Sequence, residues 1–169
     1  MAVSKICPSG TKKDNPCQGT NGDDSITGTY SADYILGLGG KDTINASYGD
    51  DTVYGGDGED TVMGSYGDDT IFGEAGNDNL SGSYDDDTID GGDGDDMING
   101  GSGRDKLTGG GGTDTINGDG GDDTINARDG EKDIIRCGSG TDTVYFDQDI
   151  DEFPDNSCEK KLPQDPPTS

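Results

Sequence analysis

A single aliphatic residue recurs every nine positions along most of the chain, with mostly polar neighbours and a glycine-rich stretch before the next repeat. Because successive side chains of a strand point to opposite faces, each aliphatic residue and its two neighbours predict a short strand with one side chain turned inward. The six residues between strands predict a turn, since glycine supplies positive φ and close backbone approach. The inward positions are Ile26, Ile35, Ile44, Val53, Val62, Ile71, Leu80, Ile89, Ile98, Leu107, Ile116, Ile125, Ile135 and Val144.

Two successive nine-residue units predict one complete coil, with alternate units on opposite walls. The inward side chains then form two columns, and a stack of about six and a half coils is about 30 Å long at the usual strand spacing of about 4.8 Å. A core made of two thin aliphatic stripes accounts for an apolar content of only 25%, against about 45–50% in ordinary domains.

An aspartate stands two positions before every one of these aliphatic residues. The spacing of nine holds from Asp24 to Asp123, one extra residue precedes Asp133, and the spacing resumes at Asp142. Stacked coils place each aspartate above the one two repeats earlier, in two columns. One column contains Asp24, Asp42, Asp60, Asp78, Asp96, Asp114 and Asp133, and the other contains Asp33, Asp51, Asp69, Asp87, Asp105, Asp123 and Asp142.

The charge of the chain limits what it can do. Its 169 residues suffice for one domain, and 37 acidic residues against 11 basic ones give a formal net charge of -26. Such a composition ordinarily predicts disorder, and residues 42–103 hold 17 acids and no Lys or Arg, so compaction requires cations from solution. The charge argues against nucleic-acid binding, no apolar run is long enough to span a membrane, and a chain without His offers no His-based catalytic triad.

Glycine-rich hexads precede the aspartates, as in residues 55–60, 91–96 and 100–105. With them the chain resembles the RTX family of haemolysin-type calcium-binding nonapeptide repeats, GGxGxDxUx, over residues 19–145. We therefore expect an all-β, right-handed parallel β-roll (β-solenoid) with two nonapeptides per coil, about six to seven coils, and disulfide-linked end caps.

The turns are candidate metal sites, because stacked carboxylates repel one another without a counterion. Ca²⁺ accepts six to eight oxygen ligands in loose geometry, whereas Mg²⁺ demands a tighter octahedron and Zn²⁺ and copper prefer His or Cys. The resemblance implies that turn carbonyls and the fourteen aspartates of the two columns, called the register aspartates below, bind roughly ten Ca²⁺ ions. Besides the fourteen aspartates, the candidate ligand residues are Gly55, Asp57, Gly58, Gly73, Gly76, Gly91, Asp93, Gly94, Gly100, Gly103, Gly109 and Gly112.

Other readings of the acidic residues remain open. Any single turn aspartate can simply be solvated while it caps its own backbone. The acids one place before the register aspartates are either solvated or attract cations at long range; they are Asp50, Asp68, Asp86, Asp95 and Asp122. Two turns carry Ser31 and Asp85 where glycine is expected, and the insertion within residues 127–132 is expected to distort the site before Asp133.

The ends of the solenoid need to be sealed, and all four cysteines lie outside the regular repeats. Three pairings are possible; Cys7–Cys17 and Cys137–Cys158 are favoured because the others would join ends about 30 Å apart. We expect an N-terminal cap at 1–18, the β-roll at 19–145, a C-terminal cap at 146–161 that includes Phe146, Ile150 and Phe153, and a flexible tail at 162–169. Disulfides indicate a secreted or cell-surface protein, although no signal peptide is visible, which suggests a trimmed chain or a non-classical export route.

One outer face differs from the rest of the surface. Tyr30, Tyr48, Tyr66 and Tyr84 recur in every second repeat, beside Thr52, Thr70, Thr88, Tyr54 and Phe72. These residues either pack across coils and shield the turns, or form a binding face for ice, a glycan or a protein partner. Ser102 and Gly120 end the tyrosine series, and Lys106 interrupts the threonines.

The sequence thus favours a non-enzymatic, secreted calcium-binding module that folds on Ca²⁺ binding and serves a structural, adhesion or interaction role. The alternatives are an ice- or carbohydrate-binding protein that uses the Tyr/Thr face, and an export or folding module of a larger RTX toxin or enzyme.

Overall fold

The computed structural model describes residues 3–9, 11–148, 150–155 and 157–163. Over these residues the regular structure is β-strand, and no helix long and apolar enough to cross a membrane is present among them. The strands are β1 (Ser4–Ile6), β2 (Cys17–Gln18), β3 (Ser25–Thr27), β4 (Tyr34–Gly39), β5 (Thr43–Tyr48), β6 (Thr52–Asp57), β7 (Thr61–Tyr66), β8 (Thr70–Ala75), β9 (Asn79–Tyr84), β10 (Thr88–Asp93), β11 (Met97–Ser102), β12 (Lys106–Gly111), β13 (Thr115–Gly120), β14 (Thr124–Ala127), β15 (Ile134–Arg136), β16 (Thr143–Phe146) and β17 (Lys160–Pro163).

The strands form two parallel sheets, with odd-numbered strands in one and even-numbered strands in the other, apart from β17. The first sheet runs β1-β3-β5-β7-β9-β11-β13-β15, and the second runs β17-β16-β14-β12-β10-β8-β6-β4-β2. Ile89 pairs with Ile71 on one side and Leu107 on the other, so hydrogen-bonded neighbours are two repeats apart. This arrangement confirms the parallel β-solenoid. It has about eight coils rather than six to seven, because β1, β2 and β17 add rungs at the two ends.

The core consists of the two aliphatic columns. All fourteen inward residues are at most 1% exposed, and Ala46 and Ala127 are buried with them. The strands, however, contain mostly six residues rather than three. In β6, Gly56 and Asp57 still pair with Glu74 and Ala75 of β8, so the sheet continues through the first half of the expected turn.

The turns stack so closely that, at some positions, a side chain on the glycine backbone would collide with the neighbouring coil. A Cβ atom on Gly76, where φ is +134°, would lie 1.8 Å from the carbonyl oxygen of Gly58 in the preceding coil. Asp85 occupies one such position with φ of +75°, which agrees with the tolerance of aspartate for left-handed geometry. Ser31 does not adopt positive φ, so its turn departs from the others.

Both ends of the solenoid are held by disulfides between Cys7 and Cys17 and between Cys137 and Cys158, the favoured pairing. Cys17 pairs in register with Ile35 and so continues an inward column. At the other end the rings of Phe146 and Phe153 meet edge to face at 5.1 Å and pack on the core.

Two details of the ends differ from expectation. Ile150 is 41% exposed and therefore does not cover the last coil. Residues 162 and 163, expected in the flexible tail, belong to β17, which pairs with β16; residues 164–169 lie outside the described residues.

Candidate metal sites

The register aspartates are buried in two columns, one at each turn of the solenoid. All fourteen are at most 4% exposed, although Asp is rarely buried without a partner. The stacking follows from the two-repeat coil, which places Asp60 over Asp42 and Asp69 over Asp51. So many buried carboxylates require an explanation in terms of what neutralises them.

One oxygen of each stacked carboxylate is used by the backbone. The amide of Asp42 donates to Oδ1 of Asp60 at 2.7 Å, and the amide of Asp51 donates to Oδ1 of Asp69 at 2.8 Å. Equivalent bonds of 2.6–2.9 Å run up both columns from Asp24 to Asp142. These bonds keep the coils in register, a role that the repeat pattern alone did not indicate.

The other oxygen has no hydrogen-bond partner in twelve of the fourteen aspartates, and it is buried. The twelve are Asp42, Asp51, Asp60, Asp69, Asp78, Asp87, Asp96, Asp105, Asp114, Asp123, Asp133 and Asp142. A buried anionic oxygen is costly unless it is paired or coordinates a metal. The two columns of Oδ2 atoms therefore point to a cation.

The surroundings of these Oδ2 atoms fit an oxygen-binding ion. A Cβ atom on Gly91 would lie 2.3 Å from Oδ2 of Asp96 and 2.3 Å from the carbonyl oxygen of Gly109, one coil further on. A carboxylate oxygen and a carbonyl oxygen from adjacent coils thus both lie close to Gly91, and a side chain at this position would collide with both. The described residues contain no group of three or more acidic, His or Cys side chains able to hold a metal, so an ion here would depend on backbone carbonyls, as Ca²⁺ readily does.

The candidate glycines fall into two sets. Gly55, Gly73, Gly91, Gly100 and Gly109 each lie against the carboxylate five residues later, with Oδ2 2.3–2.6 Å from the built Cβ position. Gly58, Gly76, Gly94, Gly103 and Gly112 instead lie against a carbonyl of the preceding coil. Asp57 and Asp93 have exposed side chains, and their carbonyl oxygens accept from the amides of Gly40 and Gly76 at 2.8 Å.

Three of the twelve aspartates lack this glycine. Ala46 takes its place before Asp51, Ala127 before Asp133, and Cys137 before Asp142. A methyl or thiomethylene group at these positions replaces the glycine hydrogen that lies beside Oδ2 in the other turns, so the sites are not equivalent. The inserted turn is held by Asp147, whose Oδ2 accepts from the amides of residues 129 and 130 at 3.1 and 2.7 Å.

The first aspartate of each column differs, because the protein itself satisfies both carboxylate oxygens. Asp24 accepts hydrogen bonds from the amides of Val3 and Thr20, both at 2.5 Å. Asp33 accepts from the Thr11 hydroxyl and the Thr29 amide, both at 2.6 Å. No unpaired oxygen remains at these two positions for a metal.

At the end of each column, a carboxylate from outside the repeats accepts the amide of the last register aspartate. The amide of Asp133 donates to Oδ1 of Asp151 at 3.0 Å, and the amide of Asp142 donates to Oε2 of Glu159 at 3.1 Å. The sequence interpretation missed both. Asp151 lies two repeat lengths after Asp133, so the spacing of the aspartates could have identified it. Glu159 lies one position short of two repeat lengths after Asp142, so the spacing could not have identified it.

Burial shifts the acidity of the columns. Loss of hydration raises the pKa of Asp51 and Asp87 to about 8, with a smaller contribution from neighbouring carboxylates. The same cause raises the pKa of Asp96 to about 7 and that of Asp78 to about 6. Asp24 shows the opposite result, because its hydrogen bonds from Val3 and Thr20 outweigh the effect of burial and its pKa is lowered. A cation beside the columns would favour the ionised form.

The outer acids lie on the surface of the same turns. Asp50, Asp68, Asp95 and Asp122 are exposed and Asp86 is partly buried. Each accepts a backbone amide from the next coil through Oδ1, at 2.8–3.2 Å. Asp86 also forms an ion pair with Arg104 at 2.7 Å.

The tyrosines of the distinct outer face stack along the solenoid axis. The rings of Tyr30, Tyr48, Tyr66 and Tyr84 are 4.8–5.1 Å apart in sequence order. Tyr54 stacks on Phe72 at 4.8 Å, and Thr52, Thr70 and Thr88 pair in register on the same sheet before Lys106. The inner rings of the stack cover one another's faces.

A family model described as RTX calcium-binding nonapeptide repeat (4 copies) matches overlapping segments of the chain: residues 18–53, 36–71, 45–80, 63–98, 72–107, 99–131 and 108–144. No curated protein matches the chain. The matched segments together span most of the sequence and coincide with the stacked coils and their paired aspartate columns. The chain therefore belongs to the RTX family of calcium-binding nonapeptide repeat proteins.

Proposed function

We propose that the protein is a secreted calcium-binding β-roll that folds when it binds Ca²⁺ and then serves as a non-catalytic structural, adhesion or interaction module. The observation that carries this proposal is the pair of columns of buried Oδ2 atoms, twelve in all, that have no hydrogen-bond partner in the protein. Neutralising them is a condition for stacking the coils.

The donor set favours calcium over other ions. It consists of carboxylate and carbonyl oxygens, the chain has no His, and its four cysteines are all in disulfides, so zinc and copper find none of their preferred ligands. Carbonyl-rich sites of loose geometry suit Ca²⁺, whereas Mg²⁺ retains its waters and requires a tight octahedron.

The backbone amides, the aspartate carboxylates and the turn glycines have different roles in the proposed sites. Backbone amides hold Oδ1 of each carboxylate, which leaves Oδ2 as the proposed ligand, and glycines such as Gly91 allow Oδ2 to lie close to the backbone of the turn. Bound calcium supplies positive charge beside the buried carboxylates. We include Asp42 to Asp142 of the two columns among the ligands and leave out Asp24 and Asp33, whose oxygens are already hydrogen-bonded.

Calcium-dependent folding follows from the magnitudes. Extracellular calcium modules have Kd values of about 10⁻⁴–10⁻³ M, so each site contributes on the order of 1 kcal/mol at millimolar Ca²⁺ and almost nothing at sub-micromolar Ca²⁺. Summed over about ten sites, calcium contributes about 10 kcal/mol at millimolar concentration, which offsets the charge repulsion in a chain of net charge -26 with a thin core. The two disulfides support an oxidising, extracellular setting. A β-roll within a larger RTX toxin or enzyme would use the same chemistry.

Far-UV circular dichroism tests the proposal. The oxidised chain is measured at pH 8 in EDTA and again after titration with CaCl₂, with MgCl₂ as the matched control. We expect a disordered spectrum in EDTA, a cooperative change to β-structure with Ca²⁺, and a much weaker response to Mg²⁺. A β-spectrum that survives chelation would refute calcium-dependent folding.

A further inference from the structure

Four tyrosines form a continuous exposed strip on one turn edge of the solenoid, which we call the aromatic ridge (Tyr30, Tyr48, Tyr66 and Tyr84). Their side chains are 85%, 45%, 45% and 51% exposed. Successive rings stack nearly parallel, with interplanar angles of 22°, 5° and 6°. Contiguous exposed aromatic surface of this kind marks interaction sites more often than plain solvated surface.

A row of carboxylates runs beside the ridge. Asp50, Asp68 and Asp86 each follow a ridge tyrosine by two residues. The amide of Asp68 donates to Oδ1 of Asp50 at 3.2 Å, and the amide of Asp86 donates to Oδ1 of Asp68 at 3.1 Å. The row is therefore held in register with the rings, and one oxygen of each carboxylate is turned away from the backbone bonds.

The chain already seats one of its own cations on this row. Arg104 lies one coil after Asp86, in the same row. Its amide donates to Oδ1 of Asp86 at 2.8 Å and its guanidinium donates to Oδ2 of Asp86 at 2.7 Å. Asp50 and Asp68 present equivalent carboxylates, and the ion pairs of the described residues do not include them. No Lys or Arg occurs between residues 42 and 103 to fill these places.

We propose that the aromatic ridge docks an extended, Arg- or Lys-bearing segment of another protein, with its cations on Asp50 and Asp68 and its aliphatic side-chain stems along the ring edges. The Arg104–Asp86 pair is the intramolecular example of the contact. Charge complementarity argues for this occupant over a second copy of a chain of net charge -26 or an anionic polymer. Sugar rings stack on open aromatic faces, and the inner ridge tyrosines offer edges.

The ridge exists only when the coils are stacked, so this inference rests on the proposed calcium-folded state. Binding is measured in saturating Ca²⁺ and physiological salt by fluorescence anisotropy, using a labelled peptide of alternating Arg and Gly, its Gln–Gly counterpart, and a neutral cello-oligosaccharide as competitor. Two double variants are compared, Tyr48→Ser/Tyr66→Ser and Asp50→Asn/Asp68→Asn. The asparagines of the second variant keep the side-chain oxygens that accept the backbone amides of the carboxylate row.

Asp23→Asn/Asp95→Asn is the matched control, because these exposed acids accept the amides of Lys41 and Thr113 in the same way but stand on the opposite turn edge without tyrosines. Both aspartate variants remove the same charge. Circular dichroism in Ca²⁺ and EDTA on every variant reports folding separately, so a failure of calcium-dependent folding is distinguished from a failure of docking.

We expect the Arg–Gly peptide to bind and both ridge variants to weaken binding about tenfold, as for loss of central contacts in an interface, while the control changes it much less. Equal weakening by the ridge and control variants would overturn the proposal, because it would show attraction by overall charge only. Absence of binding to the well-folded protein, or displacement of the peptide by the sugar, would overturn it as well.

Discussion

The amide of Asp78 donates a hydrogen bond to Oδ1 of Asp96, one coil further on, at 2.8 Å, while Oδ2 of Asp96 is buried without a partner. The same relationship repeats along both turn edges of the solenoid. It separates the two tasks of each carboxylate, since one oxygen sets the stacking of the coils and the other requires a cation. The consequences can be tested at single residues.

Asp96→Asn tests the charge at one site. Asparagine keeps an oxygen that accepts from the Asp78 amide, so the backbone bond survives while the anionic charge is lost. We expect the free energy of unfolding in millimolar Ca²⁺, measured by urea unfolding, to fall by on the order of 1 kcal/mol, which is the contribution of one site, and the Ca²⁺ midpoint for folding to rise accordingly. Asp95→Asn, one residue earlier on the surface, is the control, and an equal effect of the two substitutions would contradict the assignment of Asp96 as a ligand.

Gly91→Ala tests the close contact between this glycine and the carboxylate of Asp96. The added methyl group would lie 2.3 Å from Oδ2 of Asp96, so we expect weaker calcium binding and lower stability in Ca²⁺, measured by calorimetry and urea unfolding. Gly111→Ala is the matched control, because its methyl group would meet only Oδ1 of Asp93 at 3.8 Å. If Gly91→Ala binds calcium as well as the Gly111→Ala control, the glycine has no role in the site.

In EDTA, protonation of the buried carboxylates at low pH is expected to neutralise part of the charge that calcium would otherwise neutralise. Burial raises the pKa of Asp87 to about 8 and that of Asp96 to about 7, from an ordinary value of 3.8. The folded chain therefore holds protons that the unfolded chain releases, so stability is greatest at low pH and is lost as the pH rises through about 4 to 8. We expect more β-structure in EDTA near pH 5 than near pH 8.

The calcium-loaded protein is the control for this pH series, because bound cations keep the carboxylates ionised. Its affinity for Ca²⁺ should fall on acidification as protons compete for the same oxygens. A chelated chain whose β-content is the same across this pH range, or greater at pH 8, would contradict the raised pKa values.

The C-terminal disulfide is expected to stabilise the last coil. Cys158 adjoins Glu159, whose carboxylate accepts a hydrogen bond from the amide of Asp142. Cys137→Ser/Cys158→Ser should therefore release Glu159 from the last coil and break this hydrogen bond. Removal of such a disulfide typically costs about 2–5 kcal/mol, measured here by urea unfolding in Ca²⁺. Cys7→Ser/Cys17→Ser provides the comparison at the other end, and unchanged stability of the C-terminal variant would show that the last coil does not depend on its disulfide.

The repeated part of the fold was predictable because every coil repeats the same local rule. An aliphatic residue such as Ile98 and an aspartate such as Asp96 recur with one spacing, so strands, core and columns all follow from the period. The ends were not predictable in this way. Thr11 donates to Asp33 and Glu159 accepts from Asp142, and these contacts come from segments that do not follow the repeat.

The candidate sites could be predicted as a series but not one by one. The period makes Asp24 equivalent to Asp96, whereas the structure shows that Val3 and Thr20 already satisfy Asp24. Similarly, the exposure of Ile150 depends on how the chain leaves the last coil, which hydrophobicity alone does not determine.

Native mass spectrometry of the oxidised protein, with calcium counted before and after EDTA, tests the central claim most directly. Cations beside the buried Oδ2 columns predict uptake of on the order of ten Ca²⁺ ions together with a shift to the compact charge-state distribution, and loss of both on chelation. A compact protein that carries no calcium would contradict the account.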